Sequence, residues 1–435
     1  MKSLPVKDQI IFAIGGLGEN VTFQALTAWL IFFWAGRGDP NKALIPLGLL
    51  GVLLGIGRFI EAFDDPLIGH LSDRTKSRWG RRFPYIFLGA PFLALSFFLL
   101  WLSPTPNQTT INAIYFFIVL QFFFLTYTIV SAPYEGILPE IAKTSKDRVS
   151  TSAWRVLFGV IGAGIGLVGS ALLIQRFGFL AMGASLGIIG LIAFWIAILG
   201  IRKKIDKILL ERKIVKNLNL YQALIATLRN KQFLVFSFAF ILFSLGLNLL
   251  TALVPFYTTI VLNLSEGWVA LFMGILLTSM VISLPAHNLL AKIYGKKWAY
   301  SRSMFTLSLL FPLLAFVGLI PLTTPIIQTF ILVALIGIAL AGQFVFPNAI
   351  LADVIDYDET KTGLRREAIY YGMQNTLQKF SFALSSLIFG TSLSLFGATT
   401  THSLGIRLIG PIAGFATLIG FLIFIKGYKL SDELK

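Results

Sequence analysis

Arg202-Lys203-Lys204-Ile205-Asp206-Lys207 and, shortly after it, Glu211-Arg212-Lys213-Ile214-Val215-Lys216 stand in the longest polar interruption of this chain, residues 202–231. The sequence on either side is apolar in long blocks. Six precede the interruption, at about 8–35, 44–72, 84–103, 110–137, 149–175 and 179–201, and six follow it, at about 232–262, 266–291, 298–321, 324–353, 367–397 and 404–426. A bilayer core of about 30 Å takes roughly 20 helical residues to cross, so each block is long enough to span and the longer ones tilt or bend. Within the interruption, residues 219–228 place apolar side chains at helical spacing, which suits either a helix lying along the membrane interface or a solvated connector.

Composition agrees with that reading. Of 435 residues 56% are hydrophobic, 13% are charged and 40 are Phe, and the mean hydropathy is +0.81, values foreign to a soluble domain. The expected fold is an all-α membrane protein of twelve spans: an N-terminal six-helix bundle over 1–201, a cytoplasmic linker over 202–231 and a C-terminal six-helix bundle over 232–435. Six plus six fits two parallel repeats about an axis along the membrane normal, the layout of the major facilitator fold, with substrate near mid-membrane between the halves. The opening Met1-Lys2-Ser3-Leu4-Pro5 leads into the first block without a small-residue cleavage site, so it reads as a retained helix and not a signal peptide.

The absence of cysteine removes disulfides, thiolate metal sites and cysteine nucleophiles. His70, His287 and His402 are widely scattered, and no Walker loop or long soluble domain is present. Neither an enzyme nor an ATP-driven pump is expected, and no cofactor. The net charge of +16 is explained by topology. Of the 36 Lys and Arg, Arg37, Lys42, Arg176 and Arg407 fall on one side and Arg58, Arg155 and Lys379 inside spans, while all others lie in the N-terminal tail, the loops after even-numbered spans and the C-terminal tail. The positive-inside rule makes that second side, with both termini, cytoplasmic. Partners are then membrane lipid and a small-molecule substrate, not nucleic acid, and nothing in the sequence asks for more than a monomer.

The second block contains Arg58-Phe59-Ile60-Glu61-Ala62-Phe63-Asp64-Asp65-Pro66, four ionisable residues at a depth where each costs roughly 2.5–3.5 kcal/mol. Arg58, Glu61 and Asp65 share one helical face and Asp64 sits one step round from it. Such a face looks at protein or water. Three close carboxylates share protons or hold a cation, and hard oxygen ligands suit Na+ or H+. The alternative is an Arg58–Glu61 ion pair that locks two helices.

Basic side chains of the loop running from Gly69 through Asp73, Arg74 and Arg81 to Arg82 can pair with helix C-terminal ends or with acids of neighbouring spans, or can be purely topogenic. A faint echo follows the eighth block, from Ala291 to Trp298. Asp353, Asp356, Asp358 and Glu359 face Arg365 and Arg366 across the loop after the tenth block, which reads either as a salt-bridge gate or as a solvated charge run. Gly159, Gly162, Gly164, Gly166 and Gly169 in block five permit close helix packing.

The chain resembles the glycoside-pentoside-hexuronide:cation symporters, the melibiose-carrier branch of the major facilitators. The likeness is carried by the acidic motif ending Asp65-Pro66, the Asp73–Arg82 loop, Tyr127-Thr128-Ile129-Val130-Ser131-Ala132-Pro133-Tyr134, Trp154-Arg155, Ala352-Asp353-Val354-Ile355-Asp356-Tyr357 and Tyr371-Gly372-Met373-Gln374 through Lys379. The resemblance implies symport in a bacterial inner membrane, with a cation site at Glu61, Asp64, Asp65 and Thr128 and Lys379 reaching across from the other bundle. From the residues alone, Thr128 can equally bond its own helix backbone, while the depth of Lys379 argues against snorkelling. Sugar contacts would fall on Glu19, Asn20, Ser131, Glu135, Arg155, Phe344 and Gln374, and Arg58 is counted with them. The chain departs from melibiose carriers where Asn20 and Ser131 replace aspartates, Glu135 and Phe344 replace tryptophans, and Asp64 replaces an asparagine. Galactoside specificity therefore does not carry over, and the choice between Na+ and H+ stays open. A related branch moves lysolipids, which leaves an amphiphile as the alternative cargo.

Overall fold

The computed structural model describes residues 4–37, 39–75, 77, 79–142, 144–209, 227–321, 323–363 and 367–430. Residues 219–226 of the segment read as an interfacial helix or connector lie outside them, as do Arg365 and Arg366 and the side chains of Asp65, Asp73 and Arg74. All regular structure among the described residues is helical. The first block forms α1 (Val6–Ala13) and α2 (Gly15–Trp34), followed by α3 (Leu47–Arg74), α4 (Phe83–Leu99), α5 (Thr110–Ile141), α6 (Ser145–Gly164) and α7 (Ser170–Leu209). The second half forms α8 (Lys231–Phe256), α9 (Trp268–Tyr294), α10 (Lys296–Leu313), α11 (Pro325–Thr362), α12 (Glu367–Phe396) and α13 (Leu404–Gly427). Every apolar block is thus helical.

In a bilayer each backbone polar group must be satisfied within the protein, and the ends of these helices show how. The Thr109 hydroxyl accepts from the Asn112 N–H (3.3 Å), Thr144 from Asp147 (3.1 Å) and Thr324 from Ile327 (3.4 Å), and the Asn230 side-chain oxygen accepts from both Gln232 and Phe233. These are N-caps, placed where apolar sequence begins. Block five contains a π-helical stretch, Ile165–Gly169, between α6 and α7, and is separated from block six at Gly178, whose backbone (φ 80°, ψ 176°) suits glycine alone. A second π-helical stretch, Tyr257–Val261, follows Pro255, and the Thr258 and Thr259 hydroxyls donate to the carbonyls of Val254 and Pro255.

The chain divides into two compact units, residues 1–214 with 264–270 and residues 215–263 with 271–435. In the first, α2 packs on α6 and α7, α4 on α5 and α7, and α3 on α5. In the second, α8 packs on α12 and α13, and α10 on α11 and α13. There α9 meets α11 through the Phe272 and Phe330 rings and a Ser283 hydroxyl donating to the Ile338 carbonyl. Each unit therefore repeats one pairing order: first span with fifth and sixth, second with fourth, third with fourth and sixth. Outward faces carry exposed Phe92 and Leu95 on α4 and Ile114 and Ile118 on α5, as a lipid-facing surface requires.

The α2–α6 contact runs backbone to backbone. A methyl group on Gly162 would lie 2.5 Å from the Leu17 carbonyl oxygen, and one on Gly166 2.6 Å from that of Val21. Gly162→Ala is accordingly expected to lower the thermal unfolding temperature in detergent, at a cost of about 1–3 kcal/mol. Gly169→Ala, which meets only Ile165 at 3.6 Å, serves as the control and should unfold with the parent.

Candidate functional site

Three helices of the first unit bring Glu19, Glu135 and Arg155 together. Arg155 Nη2 donates to Glu19 Oε2 (2.9 Å) and Oε1 (3.2 Å) and to Glu135 Oε1 (2.7 Å). The Glu19 side chain is 8% exposed and that of Glu135 46%, so one carboxylate is sealed in and the other is open. The guanidinium lies 5.2 Å from the centre of the Tyr134 ring. Tyr134 is fixed in turn by its hydroxyl, which donates to the Phe12 carbonyl (2.7 Å), and by stacking on the Phe12 ring. On α5, Tyr127, Ser131 and Glu135 recur at i, i+4 and i+8 and share a face. The Tyr127 hydroxyl approaches the Glu19 carbonyl at 3.5 Å. Asn20 turns its amide back to the Gly16 carbonyl (2.9 Å), and Ser131 is half-buried.

One helix away, Arg58 and Glu61 form an ion pair of 2.5 Å with both side chains 1% exposed. The guanidinium is sandwiched by Phe124 of α5 (4.2 Å to the ring centre) and Phe23 of α2 (4.8 Å), a cation–π arrangement that ties three helices together. The structure thus places Arg58 in the core with Glu61, and not at an open surface. Thr128 is fully buried one turn beyond Phe124 on α5, and Asp64 is half-buried on α3. Among the described residues no group of three or more His, Cys, Asp or Glu is arranged to hold a metal ion. Tyr127 borders both clusters, with its hydroxyl 3.5 Å from the Glu19 carbonyl and its ring centre 5.6 Å from that of Phe23, which faces Arg58.

In the second unit Gln374 is buried on α12 and Phe344 is 57% exposed on α11. Lys379 is half-buried. Gln374 and Lys379 are five residues apart, about 140° round the helix, and do not share a face.

At the end of the first unit where α4 starts and α5 stops, Arg81 pairs with Glu140, and Arg82 pairs with Glu140 (3.1 Å) and donates to the Gly136 carbonyl. Arg148 Nε donates to the Ala142 carbonyl (3.0 Å). Cations thus meet the carbonyl-rich end of α5. The second unit has a counterpart, Lys296 at the start of α10 with Asp353 on α11 (2.6 Å). Here a sequence expectation is corrected: block ten does not end at residue 353 with Asp356, Asp358 and Glu359 beyond it, and all three lie with Asp353 on α11, which runs to Thr362 and stops at Gly363 (φ 67°). Acids are disfavoured at a helix C-terminus, so the apolar pattern ended the span too early, while Lys296 at Asp353 and Lys361 in the last turn offset the cost. Glu140 is a functional candidate that motif reading passed over, although an acid in the last turn of a helix beside a basic loop is a usable signal. A groove of about 450 Å³ between α4 and α5 is lined by Leu88, Phe92, Phe122, Leu125 and other uncharged side chains, and none of the charged residues above borders it.

A family model described as MFS/sugar transport protein matches residues 11–431. The chain belongs to that family. It is similar to the isoprimeverose transporter of Lactiplantibacillus pentosus, 22% identical over 99% of this chain and 91% of that protein. The sodium-dependent lysophosphatidylcholine symporter 1 of Gallus gallus is 24% identical over 99% of this chain and 88% of its own length. Among solved structures, the nucleoside transporter NupG superposes with a TM-score of 0.65 at 16% identity, covering 97% of this chain and all of NupG, which establishes the major facilitator fold. This member of the family is a multi-pass membrane transporter of a small molecule and not an enzyme, as its sequence leads one to expect.

Proposed function

We propose that the protein is a secondary active symporter that couples uptake of a sugar or glycoside to Na+ or H+ by alternating access. The observation that carries this reading is the Glu19–Arg155–Glu135 bridge, a set of polar groups built from three spans of one bundle with one carboxylate open. Buried charge of this kind in a membrane protein is costly and marks a substrate or ion path. Charged forks satisfy sugar hydroxyls, and the half-buried Tyr127 supplies aromatic surface beside them. Glu61, Asp64, Asp65 and Thr128 would bind the cation, with Lys379 neutralising the empty site and yielding when the cation enters. A prokaryotic plasma membrane with both termini cytoplasmic fits the charge distribution. A lysolipid as cargo is the second reading, favoured by the similarity to the lysophosphatidylcholine symporter.

The test is uptake by the purified protein in proteoliposomes, with labelled sugars and a lysolipid offered and Na+ and pH gradients imposed separately. Sugar accumulation driven by one gradient and lost in Asp65→Asn is the expected result. Cargo movement indifferent to both gradients and to Asp65 would remove the cation site and leave a facilitator.

A further inference from the structure

With both carboxyls ionised, the Glu19–Arg155–Glu135 cluster carries one more negative charge than positive. Two carboxylates share one guanidinium, and they share it through a single nitrogen, Nη2. The ion pairs of Arg155 are those with Glu19 and Glu135. Among the described residues of this unit no second cation serves the cluster. The surplus negative charge has a location. Glu19 is sealed in and holds Nη2 with both oxygens, whereas Glu135 commits only Oε1 and keeps nearly half of its side-chain surface open.

We propose that the substrate carries a positive charge, an ammonium group that seats against Glu135, as in an amino sugar. The proposal rests on the reading of this cluster as the substrate site. An ammonium is a compact point charge with three donors and no acceptor, so it joins the open oxygen of Glu135 without displacing Arg155. Among the described residues the hydrogen bonds of Arg155 all leave from Nη2, so its Nε and Nη1 hydrogens can turn to ring and hydroxyl oxygens. A neutral hydroxyl at the same place leaves the surplus charge standing. A uronate adds a third carboxylate to a site whose one guanidinium is already shared, and at short range in a partly desolvated site like charges repel strongly. The expected order is amino sugar, then neutral sugar, then uronate. Glu135 is the residue that sets it.

The same ammonium chemistry can arrive on a sugar or on a lysolipid headgroup, so the experiment carries both. Binding and gradient-driven uptake are measured in proteoliposomes for matched neutral, 2-amino and uronate sugars of the gluco and galacto series, and for a primary-ammonium lysolipid beside an uncharged one, with the parent and Glu135→Gln. The amino sugar is expected to exceed its neutral counterpart by at least about tenfold, equivalent to roughly 1.4 kcal/mol, and Glu135→Gln to bring that ratio to within about threefold. The ratio is the readout, so a general loss of activity in the variant does not imitate the result, and the parent's preference tests the proposal without any variant. Preference for the primary-ammonium lipid, with no sugar moved, supports the positive charge and assigns it to a headgroup while rejecting sugar symport. Gradient-driven uptake of neutral sugars at least equal to that of amino sugars overturns the proposal and leaves symport intact. If no member of the panel binds or follows either gradient, both fall.

Discussion

Glu61→Gln is expected to destabilise the first bundle by roughly 3–5 kcal/mol, the cost of breaking a buried ion pair from one side. The two members of the pair are not equivalent. Arg58 cannot shed its proton in a protein, so a neutral residue at position 61 removes the carboxylate 2.5 Å from a buried cation that Phe23 and Phe124 face. Glu61 can take up a proton when Arg58 is lost, so Arg58→Met should be the milder change. Replacing the pair together by residues of similar volume, Arg58→Met with Glu61→Leu, removes both charges and is expected to return most of the stability, as apolar substitution of buried ion pairs often does. Thermal unfolding in detergent separates the cases, and uptake by the double variant then asks what the pair does beyond packing. A folded double variant that still accumulates substrate when driven by a cation gradient would remove Glu61 from the cation site. A Glu61→Gln protein as stable as its parent would show that the pair holds nothing together.

Much of this was readable from the chain because the bilayer imposes a strict length and polarity on each span. The apolar blocks and the polar segment between the sixth and the seventh follow from that constraint alone, and the Arg58–Glu61 contact follows from i, i+3 geometry within one helix. Contacts between helices do not follow in the same way. Glu19 and Arg155 are 136 residues apart and Arg155 and Glu135 only 20, and nothing in local spacing joins them. Family likeness singled them out, and packing of α2, α5 and α6 brings them together. The repeat of one pairing order in the two units is equally hidden in sequence. Packing asks for small residues at crossings and for matching volume, conditions that Gly162 on Leu17 and Gly337 on Leu276 both meet with unlike neighbours. Residues 354–362 of α11 escaped because hydropathy marks where lipid ends and not where a helix ends.

Arg155→Ala is expected to reduce substrate uptake by roughly 30-fold to a few thousandfold, the range that follows from removing one partner of a desolvated, hydrogen-bonded charge pair at 2–5 kcal/mol. Part of that loss is direct, since the only described cation of the cluster is gone. Part is repulsion, because Glu19 and Glu135 both lose the nitrogen that held them together, and Glu19 is too deeply placed to be rescued by water. Lysine is not an adequate substitute. It keeps the charge but not the planar fork, so it cannot hold two carboxylates while presenting further donors to a ligand, and Arg155→Lys should fall between parent and Arg155→Ala. A second substitution sorts structure from binding. Arg155→Ala combined with Glu19→Gln removes the buried surplus charge and should restore a monodisperse, parent-like unfolding temperature, yet uptake should stay at the level of Arg155→Ala. Recovery of uptake in that double variant would mean that Arg155 acts only by neutralising Glu19, and the substrate would then have to meet its polar partners elsewhere in the transporter.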